Sequence, residues 1–150
     1  MIHVEYETVI NRPIAEVFDK LVDIDSYPDW LPQSRVFLKC WKTSQGPVGR
    51  GTTFVDQSRI GRYHGVVTSF QRPTRVAFRM RLRWLGMDVM ESRPGYVLQE
   101  VPGGTRVQHH AEGELFGLFR ILEPYVEMRA RQERIRTVDV LKETLQSPTA

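Results

Sequence analysis

The sequence predicts an α+β fold: a curved antiparallel sheet of seven strands wrapped on one long C-terminal helix, with two short helices after the first strand. Three observations carry this. Six segments between residues 35 and 115 alternate apolar and polar side chains with period two, separated by the turn signals "SQGPVGRG", "QRP" and "VPGG". The last quarter of the chain has apolar residues at helical spacing, and so does the run "PIAEVFDKLV" between the first strand and the meander. Such a sheet cannot bury its inner face alone, so the long helix must lie across it.

The first strand, 2–10, carries Ile2, Val4, Tyr6, Thr8 and Ile10 on one face. Asn11 is expected to cap the next helix, with Pro13 in its first turn and a buried stripe of Ile14, Val17, Phe18, Leu21 and Val22. "DIDSYPDWLP" then predicts a helical turn at 26–30, capped by Asp25 or Ser26, in which Pro28 and Pro32 fix bends and Tyr27 and Trp30 supply apolar area. Strands are expected at 35–43, 52–60, 62–70, 74–84, 88–100 and 105–115, the fifth bulging or breaking at Pro94-Gly95. In "RVAFRMRLR" the residues Val76, Phe78, Met80 and Leu82 take one face, and Arg75, Arg79, Arg81 and Arg83 the other, a half-buried strand with a solvated side. The final helix should start between 117 and 124 and end near 146, its stripe made of Ile121, Tyr125, Met128, Ile135, Val138, Leu141 and Leu145 and interrupted by Gln132. The chain reads as one domain over 1–146 with a frayed tail at 147–150.

Composition narrows the function classes. The 150 residues hold 21 basic and 18 acidic side chains, a small excess without the glycine and aromatic signatures of RNA modules, so no nucleic-acid partner is expected. No apolar run approaches a membrane span, and the N-terminus alternates instead of showing a signal-peptide plan; a cytoplasmic location is the expectation. The single cysteine, Cys40, excludes an internal disulfide, offers no metal framework and reads as a buried thiol. A homodimer is left open.

The run "RPIAEVFDKLVDIDSYPDWLPQSRV", the strand meander, "GGTRVQHH" and the terminal "VLKETLQ" resemble the START-like, helix-grip (SRPBCC) superfamily, which includes the birch-pollen-allergen-type proteins and the polyketide cyclase/dehydrase group. The resemblance covers almost the whole chain and implies a cavity between sheet and long helix. Within the superfamily, "DIDSYPDWLP" is similar to the corresponding segment of coenzyme Q-binding proteins and of bacterial polyketide aromatase/cyclases. It implies either binding of a small hydrophobic or aromatic molecule, such as a lipid, a quinone or a polyketide, or a cyclase or dehydratase acting in the same cavity. No aromatase active-site motif falls on this chain residue by residue, and no catalytic residue is assigned.

Candidate site residues follow from strand phase and this architecture. Thr105, Val107, His109 and Ala111 share one side, which puts His109 inside and His110 in water. His109 can be a hydrogen-bonded core histidine, a polar ligand contact or a general acid or base. Phe78, Met80 and Tyr96 from the sheet, Tyr125, Met128 and Gln132 from the long helix, and Trp30 at the closing turn complete the expected ligand-binding set. His109, Tyr96 and Gln132 are the first suspects for an enzyme. The phase around Tyr63 and His64 does not choose a face. No phosphate loop, nucleophile elbow or zinc spacing occurs, so neither metal nor cofactor is expected.

Overall fold

Alternation along the strands decides which way the sheet curls. The computed structural model describes residues 1–34 and 36–147. Its elements are β1 (Ile2–Ile10), α1 (Ile14–Val22), a 3-10 turn (Ile24–Ser26) running into α2 (Tyr27–Trp30), β2 (Phe37–Lys42), β3 (Thr53–Ser58), β4 (Gly61–Gln71), β5 (Arg75–Trp84), β6 (Met87–Val101), β7 (Gly104–Leu115), a second 3-10 segment (Gly117–Leu122) and α3 (Glu123–Gln146). The seven strands form one antiparallel sheet in the order β1-β7-β6-β5-β4-β3-β2. Short hairpins place β2 to β7 in sequence, and β1 closes the edge beside β7 with Tyr6 opposite His109 and Ile10 opposite Thr105. Arg35, the expected start of the second strand, and positions 148–150 of the expected tail lie outside the described residues.

Local capping differs from the sequence expectation because the candidate caps hold other elements together. Pro13, not Asn11, precedes the first turn of α1, and the Asn11 N–H donates to Gln146 Oε1 at the end of α3 (2.8 Å). Asp25 does not cap α2 either: its carboxylate accepts the Lys42 N–H (2.7 Å) and ties the turn to β2. β6 runs unbroken through Pro94-Gly95 and keeps its register with β7 there. The ladder to β5 instead skips Phe78 and Arg79 beside Pro94, which has no N–H to offer. On the outer face two of the four arginines of β5 are matched within the sheet, Arg81 to Glu91 (3.0 Å) and Asp88 (3.4 Å), and Arg83 to Asp88 (3.1 Å).

α3 departs most from expectation. Its C-terminal half buries Val138, Leu141 and Leu145, and its last turn is clasped by the Arg12 Nε–H on the Leu145 carbonyl (2.6 Å). Along its N-terminal half the small residues Val126 and Ala130 face the sheet, whereas Tyr125 and Met128 are exposed, as is Ile121 in the 3-10 segment before it. The expected stripe therefore holds at Val138, Leu141 and Leu145, and in the N-terminal half the sheet-facing line is displaced by one to two positions from the large apolar side chains. The physical reason is that the helix meets packed side chains only at its C-terminal end; beside its first turns the sheet curls away and leaves a cavity.

The Tyr6 hydroxyl donates to the Asp139 carboxylate at 2.7 Å and fastens α3 to β1. Tyr6→Phe is expected to lower unfolding stability by about 1 kcal/mol, read by urea denaturation.

Candidate functional site

One register row of the sheet explains the chemistry of the cavity. Cys40, Asp56, Tyr63, Leu82, Met90 and Leu115 are successive cross-strand partners from β2 to β7, and all six line the space between sheet and α3. The cavity has a volume of about 360 Å³. A neighbouring row adds Phe54 and Met80 across Gly65, where a Cβ would lie 2.3 Å from the Phe54 ring. Only glycine lets that ring lie flat over the strand, and the ring meets Phe78 edge-on at 5.6 Å, holding Phe78 on the cavity wall.

The wall is mostly apolar, and several of its polar groups converge on one region. Asp56 from β3 faces Arg134 from α3, with the hydroxyls of Tyr27, Tyr63 and Tyr96 around them. No ion pair closes between Asp56 and Arg134, and no side chain among the described residues donates a hydrogen bond to Asp56. Burial pushes the Asp56 carboxyl up to about 6, while the Arg134 guanidinium pulls it down and Glu133 adds to the rise. The Tyr63 hydroxyl, pushed up to about 12 by burial and by Asp56, meets only the Met90 sulfur at 3.8 Å. Burial also raises Tyr27 and Tyr96, so at neutral pH both hydroxyls keep their protons, that of Tyr27 on the Leu21 carbonyl, and it raises the Cys40 thiol, which stays protonated. A mostly apolar cavity that brings the Asp56 carboxylate, the Arg134 guanidinium and neutral tyrosine hydroxyls together can orient a molecule that has a polar end.

The expected site residues divide. Phe78, Met80, Tyr96 and Tyr125 line the cavity, Tyr125 at its rim. His109 does not: it is buried on the inner side of β7 behind Tyr96, stacked on that ring with centroids 4.2 Å apart. Its Nδ1–H donates to the Gly95 carbonyl (2.8 Å), and Nε2 has no partner among the described residues. Burial first, then the Arg134 charge, depress its pKa to about 3, which leaves the imidazole uncharged at neutral pH. Gln132 and Met128 point away from the cavity; Gln132 borders a shallow outer depression with Ser34 and Arg136. Trp30 is buried behind Tyr27, its ring 5.1 Å from that of Tyr27, and Tyr27 takes the wall position. Asp56 and Arg134 escaped the sequence reading, although Asp56 shares the phase of Phe54 on β3.

A family model described as polyketide cyclase / dehydrase and lipid transport matches residues 1–143. The chain belongs to that family. Its helix-grip architecture is shared with a START superfamily protein from Mycobacterium smegmatis (TM-score 0.76, 14% identity, 97% of this chain and 98% of that one). It is shared also with Ara h 8.0201 (TM-score 0.75, 15% identity, 97% and 98%). A third similar structure is the di-domain ARO/CYC BexL of the BE-7585A biosynthetic pathway (TM-score 0.75, 12% identity), of which this chain covers 50% with 98% of its own length. At these identities the likeness establishes the fold. A comparison with curated proteins gives no match. No helix among the described residues is long and apolar enough to cross a membrane.

Proposed function

We propose that the protein binds a small hydrophobic or aromatic molecule between the sheet and α3, its polar end held by Asp56, Arg134 and the Tyr63 hydroxyl. The observation that carries this reading is a cavity of about 360 Å³ whose mostly apolar wall carries the Asp56 carboxylate, which accepts no hydrogen bond from a described side chain, beside Arg134 and the Tyr63 hydroxyl. Buried polar groups are ordinarily satisfied, so a carboxylate left without a donor on a cavity wall is a place for ligand atoms. A cytoplasmic site of action belongs to the same reading, supported by the free thiol of Cys40.

Native mass spectrometry of the purified protein is expected to show a co-purifying lipid, quinone or polyketide-like molecule. Titration with 2-naphthol, followed by protein fluorescence, is expected to saturate at one site. Ala130 lies on the helix side of the wall, and Ala130→Phe, which fills that space, should weaken 2-naphthol at least tenfold with the fold retained by circular dichroism. The reading fails if neither a co-purifying molecule nor saturable binding is found, or if the filled variant binds as the parent does.

A second reading, a cofactor-independent polyketide cyclase or dehydratase, is favoured by Asp56 specifically. A carboxyl near pH 6 beside neutral hydroxyls can take and return a proton close to neutrality, which His109 and Gln132 cannot do from their positions. Turnover of an aromatic polyketide mimic, lost in Asp56→Asn, would favour it over binding alone.

A further inference from the structure

The large apolar side chains that α3 leaves outside are part of a wider cluster. The β3–β4 and β5–β6 hairpins, the 3-10 segment Gly117–Leu122 and the start of α3 meet at one end of the sheet, away from α1. Leu85 at the tip of the second hairpin is 99% exposed, and Leu118 and Ile121 of the 3-10 segment are 88% and 81% exposed. Trp84 joins the three parts: its Nε1–H donates to the Ile60 carbonyl (2.9 Å), and its ring meets Phe119 edge-on at 5.5 Å. Ile60, Trp84, Leu122 and Tyr125 are exposed and also line the cavity, so this apolar rim surrounds its mouth.

We propose that this rim docks on the surface of an anionic phospholipid bilayer. Exposed apolar patches of this kind mark interaction surfaces, and the charges around this one select the partner. Two nearby acids are already matched, Asp88 by Arg81 and Arg83, and Glu123 by the N-terminal amine (2.7 Å). Arg120 and Arg129 form no ion pair among the described residues, and Arg129 lies over the Tyr125 ring at 5.3 Å. Lipid phosphates complement these cations, whereas a second copy meeting the rim about a two-fold axis would bring arginine towards arginine. Leu85 at a hairpin tip and Leu118 in the 3-10 segment insert among acyl chains, and Trp84 and Tyr125 suit the polar–apolar boundary of a membrane. The contact is peripheral, and it places the cavity mouth against the lipid from which an apolar ligand would be taken or into which it would be released. That last consequence rests on the ligand-binding reading; the docking itself does not.

The test is co-sedimentation of the full chain with vesicles of phosphatidylcholine alone and of an equimolar mixture with phosphatidylglycerol. Binding is expected to the anionic vesicles, weakening as salt rises. The double variant Leu85→Ser, Leu118→Ser alters two side chains that touch little of the protein. It should bind these vesicles at least about tenfold more weakly, with an unchanged unfolding midpoint and unchanged 2-naphthol affinity. Arg120→Glu should remove much of the preference for phosphatidylglycerol. The proposal is overturned if the parent stays in the supernatant with both vesicle types, or if the double variant sediments like the parent. It is equally overturned if light scattering shows a dimer that the double variant dissolves, which would assign the rim to a second copy. Loss of 2-naphthol binding with vesicle binding intact would refute the cavity reading and leave docking standing.

Discussion

Removing the imidazole of His109 should turn the acid side of the stability profile upside down. In the folded chain this group titrates at about 3, against 6.5 when unfolded. Below pH 6.5 the unfolded chain therefore binds a proton that the folded chain refuses, and stability falls by up to about 1.4 kcal/mol per pH unit, roughly 5 kcal/mol over the whole window. Asp56 acts with the opposite sign. Its folded value of about 6 exceeds the unfolded 3.8, so the folded chain binds the extra proton and gains stability as pH falls through that interval. Between pH 6 and 4 the two nearly cancel, and the native protein should show a plateau followed by steep loss below pH 4. Glu91 adds to that loss: burial raises its carboxyl, but Arg81 and Arg93 more than reverse this and hold it below its ordinary value. His109→Asn keeps a donor near the Gly95 carbonyl and deletes the titration. It should be less stable than the parent at pH 7, because it leaves space beside Tyr96, and should gain stability between pH 6 and 4 where the parent does not. Urea unfolding at pH 7, 6, 5 and 4 measures both curves; parallel profiles would show that His109 titrates as an ordinary exposed imidazole.

The architecture was legible because it depends on periodicity and turn length. Strict alternation put Val107, His109 and Ala111 inside β7, and the structure buries all three. Turns as short as "QRP" allowed only antiparallel neighbours, which gave the meander and its order. The site was less legible because a cavity relaxes the rule that ties inward faces to large apolar side chains. On α3 the line Val126, Ala130, Arg134, Val138, Leu141, Leu145 runs along the sheet side with a cation in its middle. Large residues beside it drew the expected stripe towards Tyr125 and Met128, which the fold leaves at a surface. On β3 the phase of Phe54, Asp56 and Ser58 carried the missing signal, a carboxylate on the same face as a core aromatic. Read with Arg134, that exception is more informative than the apolar pattern around it: one charge on an apolar face is an anomaly, and two of opposite sign on facing elements suggest a site.

Asp56→Asn should make the protein more stable and less able to hold a ligand that donates a hydrogen bond. Above pH 6 the folded chain keeps Asp56 ionised against its surroundings, at a penalty of about 3 kcal/mol for a rise from 3.8 to about 6. Asparagine has no such charge, so the variant should exceed the parent by up to that amount at pH 8 and approach it at pH 4, where the parent carboxyl is protonated when folded. The neighbours set how large the difference is. Arg134 already offsets part of the penalty and Glu133 adds to it, so Arg134→Met in the parent should push the Asp56 value higher and destabilise the protein at pH 8, whereas in the Asp56→Asn background that particular loss should vanish. Ligand affinity should move the other way. A phenolic hydroxyl placed on the Asp56 carboxylate makes a charge-assisted bond, and replacing the carboxylate by an amide should weaken 2-naphthol about tenfold or more at pH 8. Naphthalene, with no hydroxyl, should bind both proteins alike. In the parent, 2-naphthol should tighten as pH rises through about 6 and level off, and the variant should lack that step. Equal stability at pH 8 would show that Asp56 is not held against a burial penalty, and equal affinity for 2-naphthol would show that the ligand's polar end lies elsewhere. Both differences together identify a residue kept at the expense of stability, and the polar end of the ligand is what it is kept for.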